Sequence, residues 1–79
     1  MNSDHLAKEA ARLKADPIFN KALDDMRQSA LDNLAHAKAD DLLAIVAPQQ
    51  LVAAIDEIRT TLDRYIMAAD VQDDAGSFA

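Results

Sequence analysis

Two stretches of the chain carry apolar side chains at alternating spacings of four and three residues, and this period most constrains the fold. At about 100° per residue, side chains spaced in this way fall on one side of an α-helix. The two stripes consist of Phe19, Leu23, Met26, Ala30, Leu34 and Ala37, and of Leu51, Ile55, Ile58, Leu62, Ile66 and Ala69. Because only a short polar break precedes the second helical region, we predict an all-α fold built on an antiparallel two-helix hairpin.

Local signals place the ends of the predicted helices. An Asp-Pro pair at Asp16 begins the first long helix, because proline disfavours helical geometry in the preceding residue and fits the first helical position. Ser3 is a suitable N-cap for a short helix before it, and Asp40 or Asp41 for a helix after the polar break. Pro48 either begins a new helix or kinks one. We therefore predict one domain over residues 1–69, with helices at about 3–15, 17–38, 41–47 and 48–69, and a flexible acidic tail at 70–79.

The composition agrees with a small helical domain whose own core gives little stability. The single glycine, Gly76, lies in the tail, so the predicted domain lacks the residue that β-hairpin turns favour. A chain of 79 residues buries only about 60% of its unfolded surface. Since there is no cysteine, disulfides and thiolate metal sites are excluded. Oligomerisation is therefore the expected support.

Several large apolar residues fall outside both stripes. Many of them lie in a block without charge, residues 42–54, and a short N-terminal helix that folds back could cover only some of them. Leaving such side chains in water is unfavourable by roughly 1.5–3 kcal/mol each when compared with full burial. We therefore predict a protein interface at Ile18, Leu31, Leu42, Leu43, Ile45, Val46 and Val52.

The polar residues do not predict an enzyme or a cofactor site. Asp25, Ser29, Asp32 and His36 share one helix face, whereas catalytic groups converge on a pocket from different directions. Asp32 and His36, at a spacing of four, are expected to interact with each other and would supply only half of a metal site. We expect no catalytic residue, no metal site and no cofactor.

Nucleic acid and membranes are weak candidates as partners. The net charge of −6 repels a phosphate backbone. The N-terminal helix nevertheless carries a small basic group, Lys8, Arg12 and Lys14, which could contact nucleic acid if many subunits assembled. No apolar run approaches the roughly 18 residues of a membrane span, and no secretion signal is recognisable, so a cytoplasmic protein is expected.

The chain resembles small all-helical proteins encoded among the packaging and head genes of tailed phages and gene transfer agents. The resemblance covers roughly residues 13–69. It is carried by an Asp-Pro pair followed by an aromatic residue, an Ala-Leu step, an arginine, a polar break and a second helix. The matching positions are Leu13, Asp16, Pro17, Phe19, Ala22, Leu23, Arg27, Asp40, Asp41, Leu62 and Ile66. The resemblance implies a role like that of the oligomerisation core of small terminases, which form rings and lack enzymatic activity.

These observations predict a non-enzymatic, homo-oligomeric assembly module, in the context of phage DNA packaging or head assembly. In that context the protein would act in an infected bacterial cell or in the virion. The alternative is a small acidic adaptor or inhibitor that binds one host or phage protein through an apolar helix face.

Overall fold

A computed structural model describes residues 2–77 of the chain, and side chains over residues 2–69. Its regular structure consists of three helices, α1 (Ser3–Ala15), α2 (Pro17–Ala35) and α3 (Leu42–Ser77). The described residues therefore confirm the predicted all-α class. None of the described helices combines the length and apolar character needed to cross a membrane.

The break between α1 and α2 is held by side chains around Asp16. The Asp16 carboxylate accepts hydrogen bonds from the backbone N–H groups of Ile18 and Phe19, at 2.8 and 2.9 Å. The Asn20 amide donates to the carbonyl oxygens of Lys14 and Asp16, at 2.7 and 2.8 Å. The end of α1 and the start of α2 thus both have partners, and the predicted start of α2 at Asp16 and Pro17 is confirmed.

The other helix ends refine the predicted caps. At the start of α1 the Asn2 side chain, rather than Ser3, accepts from the His5 N–H at 2.8 Å. The helix α2 ends at Ala35, and the His36 ring nitrogen Nδ1 lies 2.7 Å from the backbone oxygen of Asp32 instead of pairing with its carboxylate. Of the two candidate caps for the next helix, the Asp41 carboxylate accepts from the N–H of residue 44, at 3.2 Å.

The third helix differs from the prediction at Pro48 and at its C-terminal end. It runs from Leu42 to Ser77 without ending at Pro48, so the predicted helices at 41–47 and 48–69 form one element. Ending a helix at Pro48 would leave several backbone groups without helical partners, which outweighs the one hydrogen bond that proline cannot donate. The helix also continues into the predicted tail. The side chains of residues 70–79 and the backbone of residues 78–79 lie outside the described part.

Because Pro48 lies inside α3, replacing it by alanine is expected to stabilise the protein. Proline is less favourable than alanine by about 3 kcal/mol in a helix interior, so we expect a gain of about 1–3 kcal/mol in the free energy of unfolding. Urea denaturation followed by circular dichroism measures this gain. Pro17→Ala is the matched control and should change little, since Pro17 is the first residue of α2. Equal effects of the two substitutions would contradict a continuous α3.

The helices form an elongated layer in which α3 packs against both α1 and α2, while α1 and α2 follow one another along it. The molecule measures 59 × 24 × 17 Å, and a cross-section of this size holds two helices side by side. Its radius of gyration of 17.3 Å far exceeds the roughly 12 Å of a compact chain of this length. The N-terminal helix therefore extends the layer and does not fold over it as a third layer.

The buried core is narrower than the two predicted stripes. Its buried members are three alanines and three larger aliphatic residues, Ala10, Leu23, Ala30, Ile55, Leu62 and Ala69. Phe19, Leu34, Ala37 and Ile66 are half-buried. The remaining large stripe residues, Met26, Leu51 and Ile58, are exposed, contrary to the prediction.

Ion pairs between helices lie along one flank of the buried core. An Asp-x-x-Arg sequence occurs in both α2 and α3, and the two copies pair reciprocally. Arg27 Nε lies 3.0 Å from Asp56, and Arg59 lies 2.6 Å from Asp24. The order of the pairs runs in opposite directions along α2 and α3, as in antiparallel helices. These contacts lie on the flank of α3 that carries Arg59, opposite the flank that carries Ile58.

Candidate protein-association surface

One long side of the helical layer carries the ion pairs between helices. On α3 the residues Asp56, Arg59 and Asp63 lie on one flank of the buried line, and each pairs with a side chain of α1 or α2. The partner of Asp63 is Lys14 of α1. The hydrogen-bonded Asp56 carboxylate raises the pKa of the Arg27 guanidinium above its ordinary value. We call this side the ionic face.

The opposite long side is apolar. On α3, Leu51, Ile58 and Tyr65 recur every seven residues, about 50° from the buried line and on the flank opposite Arg59. The pairs of Arg27 with Asp56 and of Arg59 with Asp24 place Met26 of α2 beside Ile58. These four residues are 38–48% exposed. We define the apolar face as Leu6, Leu13, Phe19, Met26, Leu51, Ile58 and Tyr65.

A shallow groove lies at the α1 end of the apolar face. It has a volume of about 130 Å³ and lies between α1 and α3. Its walls are formed by Leu6, Glu9, Ala10, Leu13, Leu62 and Tyr65. The surface atoms that line it are apolar, and the Glu9 carboxylate pairs with Arg12 at 2.8 Å. The groove can therefore receive an aliphatic side chain.

The structure does not gather the predicted interface residues into one surface. Leu42 and Leu43 are 72% and 79% exposed at the start of α3. Ile18 is 74% exposed at the other end of α2, about 28 Å away along a helix of 19 residues. The remaining four, Leu31, Ile45, Val46 and Val52, are half-buried. The exposed members thus form two separate sites, at the start of α3 and near the α1–α2 junction.

The basic residues predicted to contact nucleic acid are largely engaged within the chain. Arg12 pairs with Glu9 at 2.8 Å, and Lys14 pairs with Asp63. Lys8 and Arg12 lie on the side of α1 that points away from α3, whereas Lys14 reaches the ionic face. The three cations therefore form no common patch, and carboxylates on the chain neutralise two of them.

The polar residues on α2 form local helix-surface contacts. Asp25 pairs with Lys21 at 2.9 Å, which raises the pKa of Lys21, and the Asp32 carboxylate accepts from the Gln28 amide at 2.9 Å. Among the described residues there is no group of three histidine or carboxylate side chains placed to hold a metal ion.

Sequence reasoning assigned Met26, Leu51 and Ile58 to the core and left Tyr65 outside both stripes. An available signal was the repeated Asp-x-x-Arg sequence, since in each copy the arginine directly follows a stripe residue. An arginine paired with an aspartate on the facing helix must lie beside the contact line. The neighbouring apolar residue is then rotated toward the opposite side of the layer.

The exposed area is large for the mass of the chain. A compact monomer of 8.6 kDa exposes about 4,700 Å². This chain exposes 5848 Å², which is about 1,100 Å² more than that scaling gives. A surplus is expected for a layer of 59 × 24 × 17 Å, because an elongated shape exposes more area than a compact one of the same mass.

Comparisons with known proteins return nothing similar: no family model matches the chain, and neither a curated protein nor a solved structure is significantly similar to it.

Proposed function

We propose that this protein is a non-enzymatic helical assembly module, an antiparallel hairpin that self-associates through its apolar face. The observation that carries the proposal is the alignment of exposed Leu51, Ile58 and Tyr65 along one side of α3, with Met26 beside them. Large exposed apolar patches on soluble domains mark association surfaces. The measured sides of 59 and 24 Å leave enough room for an interface of about 800 Å² per partner.

Two physical arguments favour association over an isolated chain. Among the side chains of residues 2–69, the buried core contains only three residues larger than alanine, namely Leu23, Ile55 and Leu62. Small domains with so little buried volume gain stability from a partner subunit. The ion pairs add little, since exposed pairs contribute about 0–1 kcal/mol each.

The biological setting is proposed from the sequence resemblance. A homo-oligomeric helical module is the form expected for a packaging or head-assembly protein of a tailed phage or gene transfer agent. In that setting contacts to DNA would come from outward-facing Lys8 and Arg12, repeated around an assembly. The cell would be an infected bacterium.

A second candidate function is supported by the start of α3. Leu42 and Leu43 are the most exposed leucines of the described part, and they lie at one end of the layer, beside the turn after α2. An adaptor that inserts this end into a pocket of another protein would use them as its anchor. Association of the chain with itself through the apolar face does not require them.

Sedimentation velocity and native mass spectrometry test the proposed function. We expect a discrete oligomer at about 100 µM chain, with dissociation on dilution. Because the apolar face has no charge and each chain has a net charge of −6, added salt should screen repulsion and should not weaken the assembly. A well-folded monomer at that concentration would contradict self-association. Loss of the oligomer in salt would instead indicate an interface made by ion pairs.

A further inference from the structure

We infer that the apolar face receives a second copy of this chain in an antiparallel arrangement, with Ile58 opposite its own equivalent. In this arrangement Leu51 of each chain enters the groove between α1 and α3 of the other. The inference rests on the proposed function, and it adds the register, the orientation and a binding site for one side chain.

The spacing on α3 is compatible with a two-fold axis at Ile58. A two-fold interface must be complementary to itself. When the axis crosses a helix, a residue that precedes the axis in one copy contacts the residue that follows it by the same number of positions in the other copy. Leu51 and Tyr65 each lie seven residues from Ile58, on opposite sides. An axis across α3 at Ile58 therefore places Leu51 of one copy against Tyr65 of the other, with α3 lying over α3.

The groove distinguishes this antiparallel arrangement from one in which the α3 helices of the two copies run parallel. An axis along the length of the layer would place Ile58 over Met26 of the other copy, and the two grooves would face each other. Two apolar grooves of about 130 Å³ each would then enclose an empty space, and unfilled apolar cavities are destabilising. In the antiparallel arrangement Leu51 arrives at Tyr65, which is a wall of the groove, and its side chain fills the space.

The area and the charge of the face favour a second copy as the occupant. The layer measures 59 × 24 × 17 Å, so its broad side has room for one standard interface of about 800 Å² on each partner. The one charged side chain at the groove, Glu9, already pairs with Arg12 of its own helix at 2.8 Å, so the face offers little complement to a charged partner. The leucine, isoleucine and tyrosine side chains of a second copy can fill the groove and cover the apolar residues beside it.

Single cysteines test the register, because the chain has none of its own. Ile58→Cys should form a disulfide between two copies at least about tenfold faster than Thr60→Cys, since the dimer holds its thiols at a high effective concentration. Thr60 is the matched control, because it lies two residues away on the exposed outer side of α3. Circular dichroism confirms that each variant keeps the helicity of the parent chain.

Mixed variants test the orientation. We expect Leu51→Cys mixed with Tyr65→Cys to give linked pairs of one chain of each kind, with little linking of Leu51→Cys to itself. Linking of Ile58→Cys to Met26→Cys, or of Leu51→Cys to itself, would overturn the antiparallel arrangement and leave the proposed self-association intact. A parent chain that is monomeric by sedimentation would overturn both.

Discussion

Ile55→Ala is expected to lower the free energy of unfolding by about 2–5 kcal/mol, because it removes the most deeply buried large side chain and leaves a cavity. Ile55 is 1% exposed and faces the contact between α2 and α3. A domain of this length has a total stability of roughly 4–12 kcal/mol. The variant should therefore be largely destabilised or unfolded at room temperature, as measured by urea denaturation with circular dichroism.

Ile58→Ala is the matched control for that variant. It makes the same chemical change three residues later on the same helix, where the side chain is 43% exposed. At concentrations where both proteins are monomeric, we expect it to cost under about 1 kcal/mol. Equal losses of stability in the two variants would show that Ile58, like Ile55, lies in the core, and the apolar face would then be defined incorrectly.

Ile58→Asp is expected to abolish the assembly while the monomer stays folded. In the proposed dimer the new carboxylate would be buried against its own copy, at a cost of several kcal/mol. A cost of 3 kcal/mol or more raises the dissociation constant by over about 100-fold. In the monomer the same side chain can reach water. Sedimentation velocity should give the mass of one chain, and circular dichroism should give the helicity of the parent protein.

Three further variants separate the candidate surfaces. Thr60→Asp adds the same charge on the outer side of α3 and should leave the oligomer unchanged. Leu43→Asp and Val46→Asp test the interface predicted from the sequence at the start of α3. Dissociation by these two variants, with an intact oligomer for Ile58→Asp, would move the interface to the start of α3 and contradict the apolar face.

The parts of the structure that sequence reasoning predicted depend on local information. The start of α2 follows from the geometry of Asp16 and Pro17. The start of α3 follows from the carboxylate of Asp41, which accepts a hydrogen bond from a backbone N–H of the first helical turn. The sequence left open whether Pro48 begins a new helix or kinks one, and the predicted bounds divided the helix there. A proline removes one backbone hydrogen bond at its own position, whereas packing along the whole length of the helix stabilises it.

The sequence by itself determined the helical class, the Asp-Pro break and the approximate line of buried residues on each helix, because caps and periodicity act within one or two turns. Only the tertiary structure decided which flank of that line became the apolar face. On α3 both flanks are largely apolar, with Leu51 and Ile58 on one side and Val52 and Ile66 on the other, so the period alone cannot choose between them. The flank that is buried depends on contacts with a facing helix some 30 residues away, where Arg27 and Arg59 pair with aspartates, and such contacts form only in the folded chain.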